Sequence, residues 1–291
     1  MAKNPSRYIN YFLLVAVVSV VYLLSTVSRN IEANPVGYEA QISTLDVGQG
    51  DAILVNLPGS VQILIDGGRD SRVLDPLQKR MPKFDKKIEY VIATHPDADH
   101  IGGLEPVAKS YEIGEFIETK AESQSRTYAN LQNTLEKKQV KIDYADKGDR
   151  FSFAAGAKGE VLWPKEDLSN LDSNDTSIVL RLDYKGATAL FTGDAELEAQ
   201  NGILENFNSD EIKSELYKVP HHGSGGALNQ KFLEAVSPKY AVVSVGKNNS
   251  YGHPAKTVLD ALASISARVL RTDELGTIDF VSNGTNWTKR R

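Results

Sequence analysis

The chain has 291 residues, 41% of them hydrophobic, a net charge of −5 and no cysteine. That length supports one large domain with a sizeable core, and the lack of cysteine excludes disulfides and thiolate metal sites, so any metal must be held by histidine and carboxylate. Lys3, Arg7 and Arg29 are the only charges in the first thirty residues; removing their three positive charges leaves −8 on the remainder, which argues against non-specific nucleic-acid binding over the whole surface.

Residues 1–30 contain an uncharged apolar stretch, Tyr8 to Val27, long enough to cross a bilayer as an N-terminal transmembrane helix. Lys3 and Arg7 before it favour a cytoplasmic N-terminus, which makes the protein a single-pass cell-membrane protein with an extracytoplasmic domain. A cleaved signal peptide and a secreted protein are the competing reading, but the stretch is long for that role and no A-x-A-like site follows it. Residues 31–38 read as a polar linker and 39–291 as the folded domain.

Within that domain, 41–46, 52–57 and 61–65 read as strands separated by Gly-Gln-Gly and Pro-Gly-Ser turns. A strand over 88–94 runs into His95-Pro96-Asp97-Ala98-Asp99-His100, and 103–110 and 123–138 read as helices. Further on, 160–163, 177–184 and 187–192 read as strands, the last two joined by a Lys185-Gly186 hairpin turn, and 195–206 as a helix. A strand over 216–219 ends at Pro220-His221-His222-Gly223-Ser224, and one over 240–245 leads to a glycine- and asparagine-rich loop ending in His253-Pro254. A helix over 255–266 and two final strands close the chain. This order predicts an α/β fold with two sheets face to face and helices outside.

All five histidines, at 95, 100, 221, 222 and 253, fall in turn signals. The hexad from His95 to His100 puts two imidazoles and two carboxylates together. No core gathers four such groups without reason, because each would be desolvated for no apolar gain. A divalent metal site explains them, with a solvated polar loop as the bland alternative. Asp46, Asp66, Asp194, His222 and His253 repeat one design, an apolar strand ending at a polar residue beside glycine. Singly these are turn residues bonding their own backbone; together they gather along the sheet edge where layered α/β folds bind ligands. Gln49 and Asp51 lie on a glycine loop near that edge and are candidates to position substrate, with a self-satisfied turn as the alternative. Ser224 follows the histidine pair without a nucleophile-elbow context, which leaves it a substrate contact rather than a nucleophile.

Seven ordered motifs, LDVGQGDAILV, LIDGG, THPDADHIGGL, NDTSIVLRL, LFTGDAE, VPHHGS and SVGKNNSYGHP, resemble the metallo-β-lactamase-fold hydrolases, specifically the ComEC-type competence-protein branch. The resemblance implies an αββα sandwich and a centre of two divalent ions, zinc or manganese. The first ion would lie near His95 and Asp97 and the second near Asp99 and His100, with Asp194 bridging and His222, or alternatively His221, completing the second site. Asp97 stands where the wider superfamily has histidine. The Asn174-Asp175-Thr176-Ser177 loop also lacks the family's histidine, so Asn174, Asp175 or water would complete the first site. Asp66 would orient a ligand histidine through its other ring nitrogen. Counting Asp97, Asp99 and Asp194 against two ions gives about +1, a pole favouring an anionic substrate.

The implied activity is that of a membrane-anchored phosphodiesterase or nuclease, acting on a phosphodiester such as single-stranded DNA in DNA processing or competence. A metal-bridging hydroxide would attack phosphorus in line at Asp99's site, and His221 or His253 would bond phosphate or protonate the leaving oxygen. Hydrolysis of cell-envelope phosphodiesters such as phosphocholine-decorated polymers, and a non-catalytic accessory role with an incomplete metal site, are the other two readings.

Overall fold

The structure, a computed structural model, describes residues 39–290. The anchor and linker expected over 1–38 lie outside the described residues, among which no helix is long and apolar enough to cross a membrane.

Fifteen strands are described, in chain order β1 (Ala40–Thr44), β2 (Ile53–Leu57), β3 (Val61–Ile65), β4 (Lys87–Ala93), β5 (Glu112–Glu118), β6 (Lys141–Tyr144), β7 (Arg150–Ser152), β8 (Ala157–Trp163), β9 (Val179–Tyr184), β10 (Ala187–Phe191), β11 (Leu216–Lys218), β12 (Tyr240–Val243), β13 (Arg268–Arg271), β14 (Ile278–Ser282) and β15 (Thr288–Lys289). They form an eight-stranded sheet, β15-β14-β1-β2-β3-β4-β5-β6, and a seven-stranded sheet, β13-β12-β11-β10-β9-β8-β7. Each sheet is antiparallel on one side and parallel on the other, the change falling at β3 in the first and β10 in the second.

The strands alternate between two cores, as the period of two requires. On β3, Ile63 and Ile65 face the opposite sheet with Ile42, Val55, Leu180 and Phe280, whereas Leu64 turns to the helices. The longer helices are α1 (Leu104–Ser110), α2 (Arg126–Lys137), α3 (Leu197–Asn206), α4 (Gln230–Val236) and α5 (Lys256–Ser264). Leu104 and Val107 of α1 and Leu131 and Leu135 of α2 cover the first sheet. Ile203, Phe232 and Val258, from α3, α4 and α5, cover the second. The result is two packed mixed sheets with helices outside. Central strands are buried on both faces, which is why they read as continuous apolar runs.

Most expected elements lie within two or three residues of their observed bounds, and Lys185 and Gly186 both take positive φ in the hairpin between β9 and β10. β5 was not expected. Its sequence, EIGEFIE, carries three glutamates and a mid-strand glycine, both strand-depleted. The glycine is required by packing, since a Cβ on Gly114 would lie 2.6 Å from the Glu89 carbonyl of β4. β6, β7 and α4 were likewise unmarked by periodicity.

Phe280 is fully buried between the sheets, edge-on to Tyr240 at 5.1 Å. Phe280→Ala is expected to cost about 3–5 kcal/mol of stability by chemical denaturation; a loss below about 1 kcal/mol would contradict this packing.

Candidate metal centre

The site forms where β3, β4 and β10 end. β4 stops at Ala93 and the chain turns through Thr94 and His95 into a single helical turn, Ala98–Ile101, that carries Asp99 and His100. Two glycines make this turn fit: a Cβ on Gly102 would lie 1.9 Å from the Arg69 carbonyl, and one on Gly103 equally close to that of Gly67. After β11, His221 and His222 take φ of 45° and 53°, a left-handed conformation that non-glycine residues seldom adopt.

Three buried imidazoles share one arrangement. Each has Nδ1 engaged and Nε2 left over. His100 Nδ1 meets Asp66 Oδ2 at 2.8 Å, His222 Nδ1 donates to the Ser244 carbonyl at 2.8 Å, and His95 Nδ1 lies 3.1 Å from Thr94 Oγ1 and 3.3 Å from Ser177 Oγ. The three Nε2 atoms and Asp194 Oδ1 are buried without a hydrogen-bond partner. They converge: His100 Nε2 is 3.2 Å from Asp194 Oδ1 but not aligned to bond it, and His222 Nε2 is 3.5 Å from Asp99 Oδ2 and 3.6 Å from Asp194 Oδ2. Ligand atoms of His95, His100 and Asp194 lie within 4.8 Å of one another, as do those of Asp99, His100 and His222. Buried polar atoms are as a rule paired, and the convergence of four unpartnered ones on one point fits a cation. The donor set, imidazole nitrogen plus carboxylate oxygen without sulfur, suits zinc and manganese alike.

The electrostatics agree. Burial would lower the pKa of His222, but Asp194, Asp51 and Asp99 overcome it and raise it to about 9. His100 is likewise raised, Asp194 and Asp66 outweighing burial. His95 is pushed down to about 4, by burial and then by His100. The carboxylates thus create a strong demand for positive charge at the ring.

Asp66 sits where a tuning residue should. It accepts from Thr94 N and Oγ1, both at 2.8 Å, and its other contact fixes the His100 ring. Asp97 is half-exposed, with Oδ2 3.8 Å from His95 Nε2 and Oδ1 accepting from Ser173 Oγ at 2.6 Å. Of the adjacent histidines, His222 faces the ring, whereas His221 turns Nδ1 to Glu196 at 2.7 Å and keeps Nε2 3.8 Å from Asp194. His253 lies beside His221, ring centroids 5.7 Å apart.

Four expectations need correction. Asn174 does not reach the first site: its amide donates to Glu196 at 3.2 Å, beside His221. Asp175 instead accepts the Glu196 and Ala199 amides at the start of α3. Ser224 spends its hydroxyl on its own turn, accepting from Gly226 N. Asp51 is not a substrate contact, because it is 1% exposed and ion-paired to Lys218. Gln49 does reach an open surface, with Oε1 accepting from Gly246 N at 3.2 Å.

Lys218 was missed. It is 2% exposed, donates to the Gly193 carbonyl at 2.7 Å, and lies 3.5 Å from Asp194 Oδ1 besides pairing with Asp51. Burial lowers its pKa, but Asp51 and Asp194 outweigh that and keep it charged. The signal was a lone lysine in a strand whose neighbours are all apolar, directly before Val219-Pro220-His221-His222. Lys218, Asp51 and Asp66 also change the charge count. Five carboxylates (51, 66, 97, 99 and 194) and one ammonium leave −4, so two divalent ions would make the centre neutral rather than positive.

The Metallo-beta-lactamase superfamily pattern matches residues 45–247, and the chain belongs to that superfamily. Its relatives include "ComE operon protein 3" of Bacillus subtilis, 31% identical over 83% of this chain, and "Competence protein ComA" of Neisseria gonorrhoeae, 29% identical over 90%. This chain spans about a third of each, 33% and 35%. The fold also matches the metallo-beta-lactamase fold protein YhfI from Bacillus subtilis, with a TM-score of 0.57 at 14% identity over 84% of this chain and 99% of that one. Zn(2+)-bound PqqB from Methylobacterium extorquens matches with a TM-score of 0.50 at 12% identity, over 77% and 85%.

Two substitutions test the centre. Asp66→Asn is expected to weaken metal binding about 10–100-fold in chelator competition, and unchanged affinity would contradict its orienting role. Lys218→Met strands the Asp51 carboxylate in the interior and is expected to cost about 3–5 kcal/mol by chemical denaturation; a loss below about 1 kcal/mol would contradict the pairing.

Proposed function

We propose that this protein is a metal-dependent phosphodiesterase, a nuclease in its polymer-cleaving form, with its domain held outside the membrane by Tyr8 to Val27. The observation that carries the reading is the ring of unpartnered Nε2 and carboxylate atoms from His95, His100, His222 and Asp194, with Asp99 and Asp97 at its open side. Divalent ions held there would supply Lewis acidity towards a phosphoryl oxygen and acidify water. Asp66, Thr94, Ser177 and Ser244 fix the rings, so the ligand atoms need not reorganise when substrate arrives. His221, positioned by Glu196, and His253 lie on the accessible side and are placed to bond a phosphate oxygen or pass a proton to the leaving group. Similarity to a part of the Neisseria competence protein supports placing this activity in competence.

The test uses the full chain in non-ionic detergent with manganese or zinc and bis(p-nitrophenyl) phosphate. Wild type is expected to turn over. Asp99→Ala should bind about one ion fewer per chain and lose roughly 10²-fold or more in kcat. A variant that keeps both metal and rate would refute the site, and a wild type that binds metal without turnover would favour the accessory reading.

A further inference from the structure

A metal centre that is neutral when filled does not by itself draw in a polyanion. Unbalanced positive charge lies beside it. An open groove of about 640 Å³ is lined by Gln49, Arg69, Arg72, Lys247, Tyr251 and one carboxylate, Asp46. Asp70 clamps Arg72 over Gly48, Nε 2.9 Å from Oδ1, and so neutralises it. Arg69 and Lys247 are exposed, and among the described residues neither has a carboxylate within ion-pair distance.

The groove adjoins the ring of ligands through its own lining residues. Tyr251, 59% exposed, stacks on His253 with centroids 5.8 Å apart and planes 16° apart. His253 abuts His221, which faces Asp194. At the groove's other side Gly50, next to Gln49, packs so closely on Asp99 that a Cβ there would lie 2.2 Å from the Asp99 carbonyl. Two chains of contacts, one through Tyr251 and His253 and one through Gln49 and Gly50, therefore place the groove beside the site.

We propose that this groove is the subsite for the part of a phosphodiester chain flanking the scissile linkage, with Arg69 and Lys247 on neighbouring phosphates and Tyr251 stacked against a base. The assignment rests on the phosphodiesterase reading above and names its substrate as a single-stranded polynucleotide. A single strand offers free base faces to an exposed ring, whereas a duplex keeps its bases stacked on one another. A phosphocholine group pairs its phosphate with a quaternary ammonium and so offers two unpaired cations less net negative charge than a polynucleotide phosphate does.

Anisotropy of a fluorescein-labelled phosphorothioate deoxythymidine dodecamer, titrated with the metal-loaded full chain in non-ionic detergent, reads binding to the filled site while the modified linkages slow cleavage. Tyr251→Ala is expected to weaken binding about tenfold. The Arg69→Ala, Lys247→Ala double variant should lower the slope of log affinity against log salt by about 1.4. Thermal unfolding checks that these exposed changes leave the fold intact. Wild-type affinity and slope in both variants would overturn the proposal, as would a duplex that binds equally and with the same dependence on Tyr251. Wild-type turnover of bis(p-nitrophenyl) phosphate is scored separately. Its absence defeats the phosphodiesterase reading alone, and its presence beside unaffected oligonucleotide binding defeats the groove alone.

Discussion

Five carboxylates and three buried imidazoles cannot be packed into one end of a sandwich without a counter-charge, and the rest of the site is arranged around that constraint. Lys218 supplies one positive charge from within the fold, seated between Asp51 and Asp194. The remaining −4 is held open to a ligand. The imidazoles use Nδ1 for the protein and keep Nε2 for the ring, which is the division of labour expected of metal-binding histidines. An unpaired buried charge is far more costly than a paired one, so the centre couples metal binding to stability.

The sandwich makes this arrangement affordable in geometric terms. Both sheets change from antiparallel to parallel near their middle, and the motifs fall where β3, β4, β10 and β11 end. Apolar packing on both faces of those strands holds their ends rigidly. The turns that follow are fixed by close glycine contacts at 102 and 103 and by left-handed backbone at Asp66, His221 and His222. Rigid strands and committed turns together place side chains from residues 95 to 222 on one ring.

Much of this was legible in the sequence. Central strands announced themselves because burial on both faces demands continuous apolar runs, and the site's histidines and aspartates stood out because turns seldom concentrate such groups. What could not be read was direction. Asp51, Asn174 and Ser224 lie in the right motifs, yet their side chains turn to Lys218, Glu196 and a local amide. Spacing places a residue near a site without saying which neighbour it will bond. Lys218 escaped for the opposite reason, since a charged residue inside a strand reads as solvent-facing until its buried partners are known. β5 was hidden by its glutamates and by a glycine that only the contact with β4 explains.

The central claim is that the ring is a divalent-metal centre, and calorimetric titration of zinc or manganese into the chelator-stripped full chain tests it most directly. Two ions bound per chain, accompanied by a rise in the thermal midpoint as ligand linkage requires, is the result this account predicts. A chain that takes up no stoichiometric metal and melts at the same temperature with and without it would contradict it.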